Sequence, residues 1–328
     1  MEVMEIFKAI SSKPLKSVRD VQEFEISYEM REDLRNRLPK ITDESEIEDL
    51  NVQKECGDVV RAVLGEQLSN AIRYAVEHQC AAIIRNLPID HDLPATPTES
   101  RIGVDRITCS VASNVGLHNL VSSSIASYLG ENNDKALRHV IPHIKSAHEK
   151  SSHGSLLSFG MHVDNPHLPL SPEKDNSTAQ CPRYLALMAL RCDISVPTKV
   201  VFLDDVLGKL PEYVVSILKK PIYKLKWPDS FGEIYSEKPG PVLATDKDGI
   251  CYSRFDKQNV IPLSEEAELS FSIFQAVAES EGLVKKVVLL PGDLIIFDNQ
   301  RMVHARDGFS PKMNGCDRWL IRLFGINA

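Results

Sequence analysis

No stretch of this sequence runs for about 18 uninterrupted apolar residues, the length that a membrane-crossing helix needs. The start, MEVMEIFKAISSKPLKS, lacks the basic segment, apolar stretch and small-residue cleavage site of an export signal. We therefore expect a cytoplasmic chain with no membrane partner. An excess of positive charge is also missing: 38 Lys and Arg against 46 Asp and Glu leave a net charge of −8. A phosphate backbone does not attract such a chain, so no nucleic-acid partner is expected and small molecules are the default. Neither a GxGxxG nor a GxxxxGK(S/T) loop occurs, which removes the usual signals for dinucleotides and nucleoside triphosphates. The seven cysteines, Cys56, Cys80, Cys109, Cys181, Cys192, Cys251 and Cys316, are odd in number and widely spaced, with no CxxC pair; they read as free thiols in a reducing compartment.

What is present is an ordinary globular composition, 43% hydrophobic and 26% charged, in a chain long enough at 328 residues to bury a core. Residues 1–51 are charge-rich with little periodicity beyond a helix expected over Tyr28–Leu38, and no chemistry is expected there. From Val52 to His78 the residues Val59, Val60, Val63, Leu64, Leu68, Ile72 and Val76 recur at steps of three and four, which predicts an amphipathic helix packed on a sheet. AAIIRNLPI (81–89) reads as a buried strand ended by Pro88, and a second helix is expected through roughly 110–128. Beyond it the short runs YLALMAL (184–190), KVVFL (199–203), KKVVLL (285–290), LIIFDN (294–299) and RWLIRLF (318–324) read as strands, with helices at 211–219 and 264–281. Strands at this spacing point to a β-sandwich or barrel.

Among ten histidines only one starts a His-x-Asp/Glu triplet, His162-Val163-Asp164. On a strand, residues i and i+2 share a face, so this imidazole and carboxylate can converge on one metal ion; a solvated strand end is the plain alternative. Far downstream, LLPGDLIIFDNQRMVHARDGF (289–309) places a turn, a buried strand and then His304. Two histidines and one carboxylate form the facial triad of non-haem Fe(II) oxygenases. In RWLIRLFG (318–325), Arg318, Leu320, Arg322 and Phe324 share one strand face, so two guanidinium groups lie among apolar neighbours. Either both pair with internal acids, with Asp298 and Asp317 as candidates, or they hold the carboxylates of two ligands. His139, His143, His148 and His153 cluster ahead of the triplet, but at spacings that match no closed zinc site.

The HVD at 162–164, PGDLIIFDNQRMVHAR (291–306) and FSPKMNGCDRWLIR (309–322) resemble the Fe(II)/2-oxoglutarate-dependent oxygenases, in their clavaminate synthase-like branch. That branch has a PGDLLIxDNxRxxHxR stretch followed by FSPxxxGxDRWLxR; weaker likeness lies in IIRNLPIDHDLPATP (83–97) and HVIP (139–142), so about residues 80–326 are covered. The resemblance implies an α+β fold with a double-stranded β-helix (jelly-roll) core and flanking helices. It implies one oxygenase domain over 1–328, with a mainly helical outer layer (1–80), a jelly-roll core (81–328) and a lid near 221–260. It implies His162, Asp164 and His304 as Fe(II) ligands, Arg318 on the distal carboxylate of 2-oxoglutarate, and Arg322 on the carboxylate of the primary substrate. A threonine that helps bind 2-oxoglutarate in relatives has Thr198, in PTKVV (197–201), as its candidate here. Many members carry Glu where this chain has Asp164, an equivalent hard oxygen ligand; with a carboxylate there, no ligand position is left for a halide and hydroxylation is the expected outcome.

The expected reaction is hydroxylation of a free L-amino acid, with O₂ and 2-oxoglutarate consumed and succinate and CO₂ released. A basic substrate, lysine before arginine, is expected because Asp229 (WPDSFGE) and Asp256 (YSRFDKQN) lie between the two ligand sets; solvated loop acids are the alternative. Asn165 and His167 follow the metal pair and would project near the site. Ser151, Ser152 and Ser155, on the segment entering it, are further candidates, Ser152 foremost. Three readings compete: the same chemistry on a peptide or carrier-bound residue, a non-catalytic jelly-roll binding module, and a zinc hydrolase using the same three ligands. The last lacks a general base beside the triad and leaves both arginines unexplained. Homo-oligomerisation stays open.

Overall fold

The computed structural model describes residues 17–98, 101–143, 155–173, 179–228, 231 and 238–327. Strands β1 (Gln22–Glu25), β2 (Ala81–Arg85), β3 (Ser123–Ile125) and β4 (Arg138–Val140) lie among the helices α1 (Tyr28–Arg37), α2 (Leu50–Gln79) and α3 (Thr108–Leu120). Next come β5 (Phe159–His162), β6 (Tyr184–Arg191), β7 (Thr198–Phe202), α4 (Leu203–Leu207) and α5 (Glu212–Leu218). Strands β8 (Tyr223–Leu225), β9 (Lys238–Gly240), β10 (Leu243–Thr245), β11 (Cys251–Ser253) and β12 (Val260–Pro262) lead to α6 (Glu265–Ala278). The chain closes with β13 (Lys285–Val287), β14 (Leu294–Asp298), β15 (Met302–Arg306) and β16 (Trp319–Asn327).

Two sheets face each other in a jelly roll. The larger runs β1-β2-β14-β6-β16-β3, with β4 also on β16; the smaller runs β13-β7-β15-β5. Alternation along the central strands divides the core in two, as the two-residue side-chain period requires. Leu185, Leu187, Ile295, Phe297, Leu320 and Phe324 pack toward Val200, Val201 and Val303 of the smaller sheet. Their neighbours Ala186, Met188, Leu294, Ile296, Ile321 and Trp319 pack toward the helices, against Val60, Ile72 and Val115.

Asp49 caps α2 by accepting from the Asn51 and Val52 amides, and Cys80 ends it in the left-handed region. The helix is broken at Gly65, whose φ of 76° no side-chain-bearing residue adopts cheaply. Its core face is narrower than the periodicity suggested: Val60, Leu64, Ile72 and Val76 are buried, whereas Val59, Val63 and Leu68 are half-buried. Helix α3 lies between α2 and the sheet, so nearly all of it is buried. Gly116 permits the close crossing, since a Cβ there would stand 2.6 Å from Val60 Cγ2 and 2.9 Å from the Cys56 carbonyl.

Three expectations need correction. Helix α3 stops at Leu120 rather than near 128, because Ser122 takes a left-handed φ of 56° and the chain returns as β3 to pair with β16. The segment 22–25, placed with the peripheral residues, joins the large sheet as β1, parallel to β2. Residues 221–260 hold regular structure, a β12-β8-β9 sheet and a β10-β11 hairpin, instead of one irregular lid. All seven cysteines are free. Among the described residues, no helix is long and apolar enough to cross a membrane.

Two histidines of the helical layer are structural. Trp319 Nε1, which can only donate, points at His139 Nδ1 at 3.0 Å, so His139 is neutral with its Nε2 on the Ile102 carbonyl at 3.2 Å. Burial pushes His139 and the fully buried His118 down to about 4. An unfolded histidine takes up a proton near pH 6.5 while these two do not. Folding stability should therefore fall as pH drops from 6.5 toward 4, and be insensitive to them above 7. Urea midpoints of the metal-free protein between pH 7.5 and 5 should show this decline, with a shallower slope in His118→Asn; equal slopes would contradict it.

Candidate active site

The site forms where β5 and β15 pair. His304 stands directly opposite His162 in this antiparallel ladder, and their rings approach to 4.1 Å between centroids. Phe159 stacks on His162 at 3.8 Å and Phe297 meets His304 edge-on at 5.3 Å, which limits both rings. His162 Nδ1 lies 2.7 Å from the Gly160 carbonyl, so it carries the proton and Nε2 keeps the lone pair. Burial, reinforced by His304, pushes His162 down to about 3, so the ring is neutral at physiological pH.

Asp164 completes the cluster. The triplet does not lie on one strand as expected: β5 ends at His162, the Val163 amide donates to the Phe255 carbonyl at 2.8 Å, and Asn165 takes a left-handed φ of 54°. The carboxylate still reaches the histidines, with Oδ1 3.7 Å from His162 Nε2 and Oδ2 3.6 Å from His304 Nε2. Burial opposes its ionisation, but Arg322 and the two histidines outweigh that and hold its carboxyl well below the usual range. One donor atom from each residue falls within 4.8 Å of the others, and His162 Nε2 is buried with no hydrogen-bond partner. A buried lone pair without a partner is costly, and a divalent cation among two imidazoles and a carboxylate would satisfy it. The donor set fits Fe(II).

Two adjoining cavities open from the cluster and share Phe159, His162, Asp164 and Arg322. The first runs toward Arg318, whose Nη2 donates to Thr198 Oγ1 at 3.2 Å. Among the described residues no carboxylate pairs with Arg318; burial and the neighbouring Arg306 push it down to about 10, which leaves it cationic at neutral pH. A buried cation without an acid is complementary to an anionic ligand.

The second cavity is polar. Arg322 donates to Glu131 Oε1 at 2.5 Å and lies 3.4 Å from Asp164 Oδ2, with its guanidinium 3.8 Å above the Phe324 ring. Arg138, opposite Arg322 in the β4–β16 register, stands 3.6 Å from the same Glu131 oxygen. The internal acids suggested for the arginines are engaged elsewhere: Asp298 pairs with Arg183 at 2.7 Å, and the Asp317 carboxylate accepts from the Lys312 amide. Asp256 faces this cavity opposite His162 in an isolated antiparallel bridge, accepting from the Gln258 amide at 2.7 Å and Asn259 Nδ2 at 2.6 Å. Burial raises its carboxyl pKa.

Asn165 also lines this cavity, whereas His167 lines neither and instead stacks on Trp227 at 3.9 Å. Ser155 is buried with its hydroxyl unpartnered; Ser151, Ser152, Asp229, His148 and His153 lie outside the described residues. Sequence reading missed Glu131, Arg138, Arg306 and Asn259. A signal existed only for Arg306, two residues after His304 on the same strand face.

No protein-family model matches the chain. It is 30% identical over 259 residues to the L-asparagine oxygenase of Streptomyces coelicolor, covering 74% of this chain and 70% of that protein. It is 26% identical over 250 residues to the L-lysine 3-hydroxylase of Catenulispora acidiphila, covering 74% of this chain and 66% of that protein. A crystal structure of asparagine oxygenase in complex with Fe(II), 2S,3S-3-hydroxyasparagine and succinate superposes with a TM-score of 0.77 at 22% identity, over 93% of each chain. Fold and site thus define a jelly-roll oxygenase of the non-haem iron class. The chain belongs to the clavaminate synthase-like branch of the Fe(II)/2-oxoglutarate-dependent oxygenases, enzymes that use Fe(II), 2-oxoglutarate and O₂.

With His304 offering one of three possible donors, His304→Ala should weaken Fe(II) binding by more than 100-fold, about 3 kcal/mol. Anaerobic calorimetry reads the affinity and the unfolding midpoint checks the fold. Unchanged affinity would remove His304 from the metal site.

Proposed function

We propose that the chain hydroxylates an unactivated carbon of a free L-amino acid, preferring a basic side chain, lysine before arginine, and releases succinate and CO₂. The observation that carries this reading is the buried Arg322–Glu131 pair in the cavity that opens from the His162, Asp164 and His304 cluster. A free amino acid presents a carboxylate and an ammonium on one carbon. Arg322 and Glu131 offer the complementary charges side by side, so each can exchange one buried partner for another without being left uncompensated. Asp256 provides a further buried acid in the same cavity, which favours a cationic side chain over a neutral one. Burial raises its carboxyl pKa and a bound ammonium would oppose that shift, so ionisation and binding reinforce each other. The named relatives support the substrate class: one is an asparagine oxygenase and the other a lysine hydroxylase.

In this reading His162, Asp164 and His304 hold Fe(II), while Arg318 and Thr198 bind the distal carboxylate of 2-oxoglutarate. Asn165 contributes at the cavity rim. Fe(II) with 2-oxoglutarate and O₂ supplies the oxidising power for C–H hydroxylation when bound. The chain's own task is to orient both carboxylates and keep the reacting carbon dry, and Leu185, Leu187 and Leu320 line the first cavity to that end. The domain reading follows: one oxygenase domain over 1–328, with the helices of 1–80 as outer layer beside the sheet strand β1, and 221–260 contributing Asp256 as a covering segment.

Succinate release under air with Fe(II), 2-oxoglutarate and each of the twenty amino acids should be stimulated most by lysine, with a product heavier by one oxygen. Stimulation by none would move the substrate to a peptide or carrier-bound residue, and no succinate at all would favour a binding module. Arg318→Ala should raise the KM for 2-oxoglutarate by about 10- to 100-fold, as loss of a charged hydrogen-bond partner does. Arg322→Ala should do the same for the amino acid, and Asp256→Asn should weaken lysine more than asparagine. Equal effects on both ligands would refute this division of roles.

A further inference from the structure

The two histidines of the cluster are held by the β5–β15 ladder, but the carboxylate is not. Asp164 lies beyond the end of β5, before a residue in the left-handed region. One side chain grips its backbone instead. The Asp164 amide donates to Asn299 Oδ1 at 3.0 Å, and Asn299 Nδ2 donates back to the Asp164 carbonyl at 3.1 Å and to the Pro182 carbonyl at 3.0 Å. This two-point ring replaces the exchanged pair of bonds that a neighbouring strand would make. Asn299 is fully buried and sits in the turn between β14 and β15, where the chain crosses from the large sheet to the small one, so the turn that leads into the His304 strand also carries the clamp on Asp164. Cys181 Sγ makes a weaker contact, at 3.4 Å, with the same carbonyl.

We infer that Asn299 is a positioning residue: its amide sets where the Asp164 carboxylate stands relative to the two imidazoles, and through that the affinity for the metal. The inference rests on the proposed metal role of the cluster and concerns a residue that touches neither metal nor substrate. Partners of metal ligands typically change affinity by about 10- to 100-fold when lost. Gln300 is the matched control. It is equally buried in the same turn and joins two loops, accepting from the Ser171 amide and donating to the Cys181 carbonyl, both at 2.8 Å, without touching Asp164.

The test is an anaerobic Fe(II) titration of full-length metal-free protein, alongside its unfolding midpoint. Asn299→Ser should raise the Fe(II) dissociation constant by about 10- to 100-fold, while Gln300→Ser, at a similar loss of unfolding midpoint, leaves it within about 3-fold. In an Asp164→Ala background, Asn299→Ser should add no further loss, because the clamp then has no carboxylate to place. If Asn299→Ser does not fold, Asn299→Asp replaces it, keeping size and acceptor while losing the donor. Unchanged affinity in a folded variant, an equal loss in Gln300→Ser, a full further loss in the Asp164→Ala background, or failure of both Asn299 variants to fold would each overturn the inference. A wild-type protein that does not bind Fe(II) would instead overturn the metal reading on which it rests.

Discussion

The site depends on one register. His304 faces His162 across an antiparallel ladder, and in a strand a slip of one residue turns every side chain to the opposite face. The same strand β15 pairs with β7 on its other side, setting His304 opposite Val200 and Arg306 opposite Thr198. Residues that line the first cavity are thus fixed by the ladder that fixes the two histidines. Burial of every residue of β15 makes any slip costly, because His304 and Arg306 would have to exchange places with Val303 and Ala305.

Around that register the molecule gathers an unusual density of buried charge. Asp164, Glu131, Arg138, Arg322, Asp256 and Arg318 all border two small cavities, and isolated buried charges are expensive. The cost is offset unevenly. Arg138 and Arg322 face each other across β4 and β16, a repulsive arrangement that Glu131 relieves by meeting both. Asp164 is stabilised by Arg322 and the histidines, whereas among the described residues Arg318 has a hydroxyl from Thr198 and no paired carboxylate. Arg318, the less compensated of the two inward arginines, is the one to which the proposed function assigns the 2-oxoglutarate carboxylate, as expected where folding leaves charge to be satisfied by binding.

Much of the architecture was legible because it follows local periodicity. The steps of three and four through 59–76 announce α2, and the two-residue alternation of 318–324 divides Trp319, Ile321 and Leu323 from Leu320 and Phe324, the division the two halves of the core show. Helix α3 was overrun because nothing in VSSSIASY announces that Ser122 turns left-handed and that the next three residues serve as an edge strand for β16. Segment 221–260 misled in the opposite sense: its strands are three residues long, too short for alternation to register.

The site divides the same way. Sequence alone singled out His162, Asp164 and His304 by residue type and motif, and the structure brings the three together; it also set two inward arginines on one strand face. Thr198, a candidate only through the family resemblance, is hydrogen-bonded to Arg318. Only the tertiary structure decided what those arginines meet. Glu131 and Arg138 reach the cavity because β4 pairs with β16, and Asp256 arrives through a single bridge to His162. Strand pairing between distant segments is set by how whole faces pack, and that information resides in no local stretch of the chain.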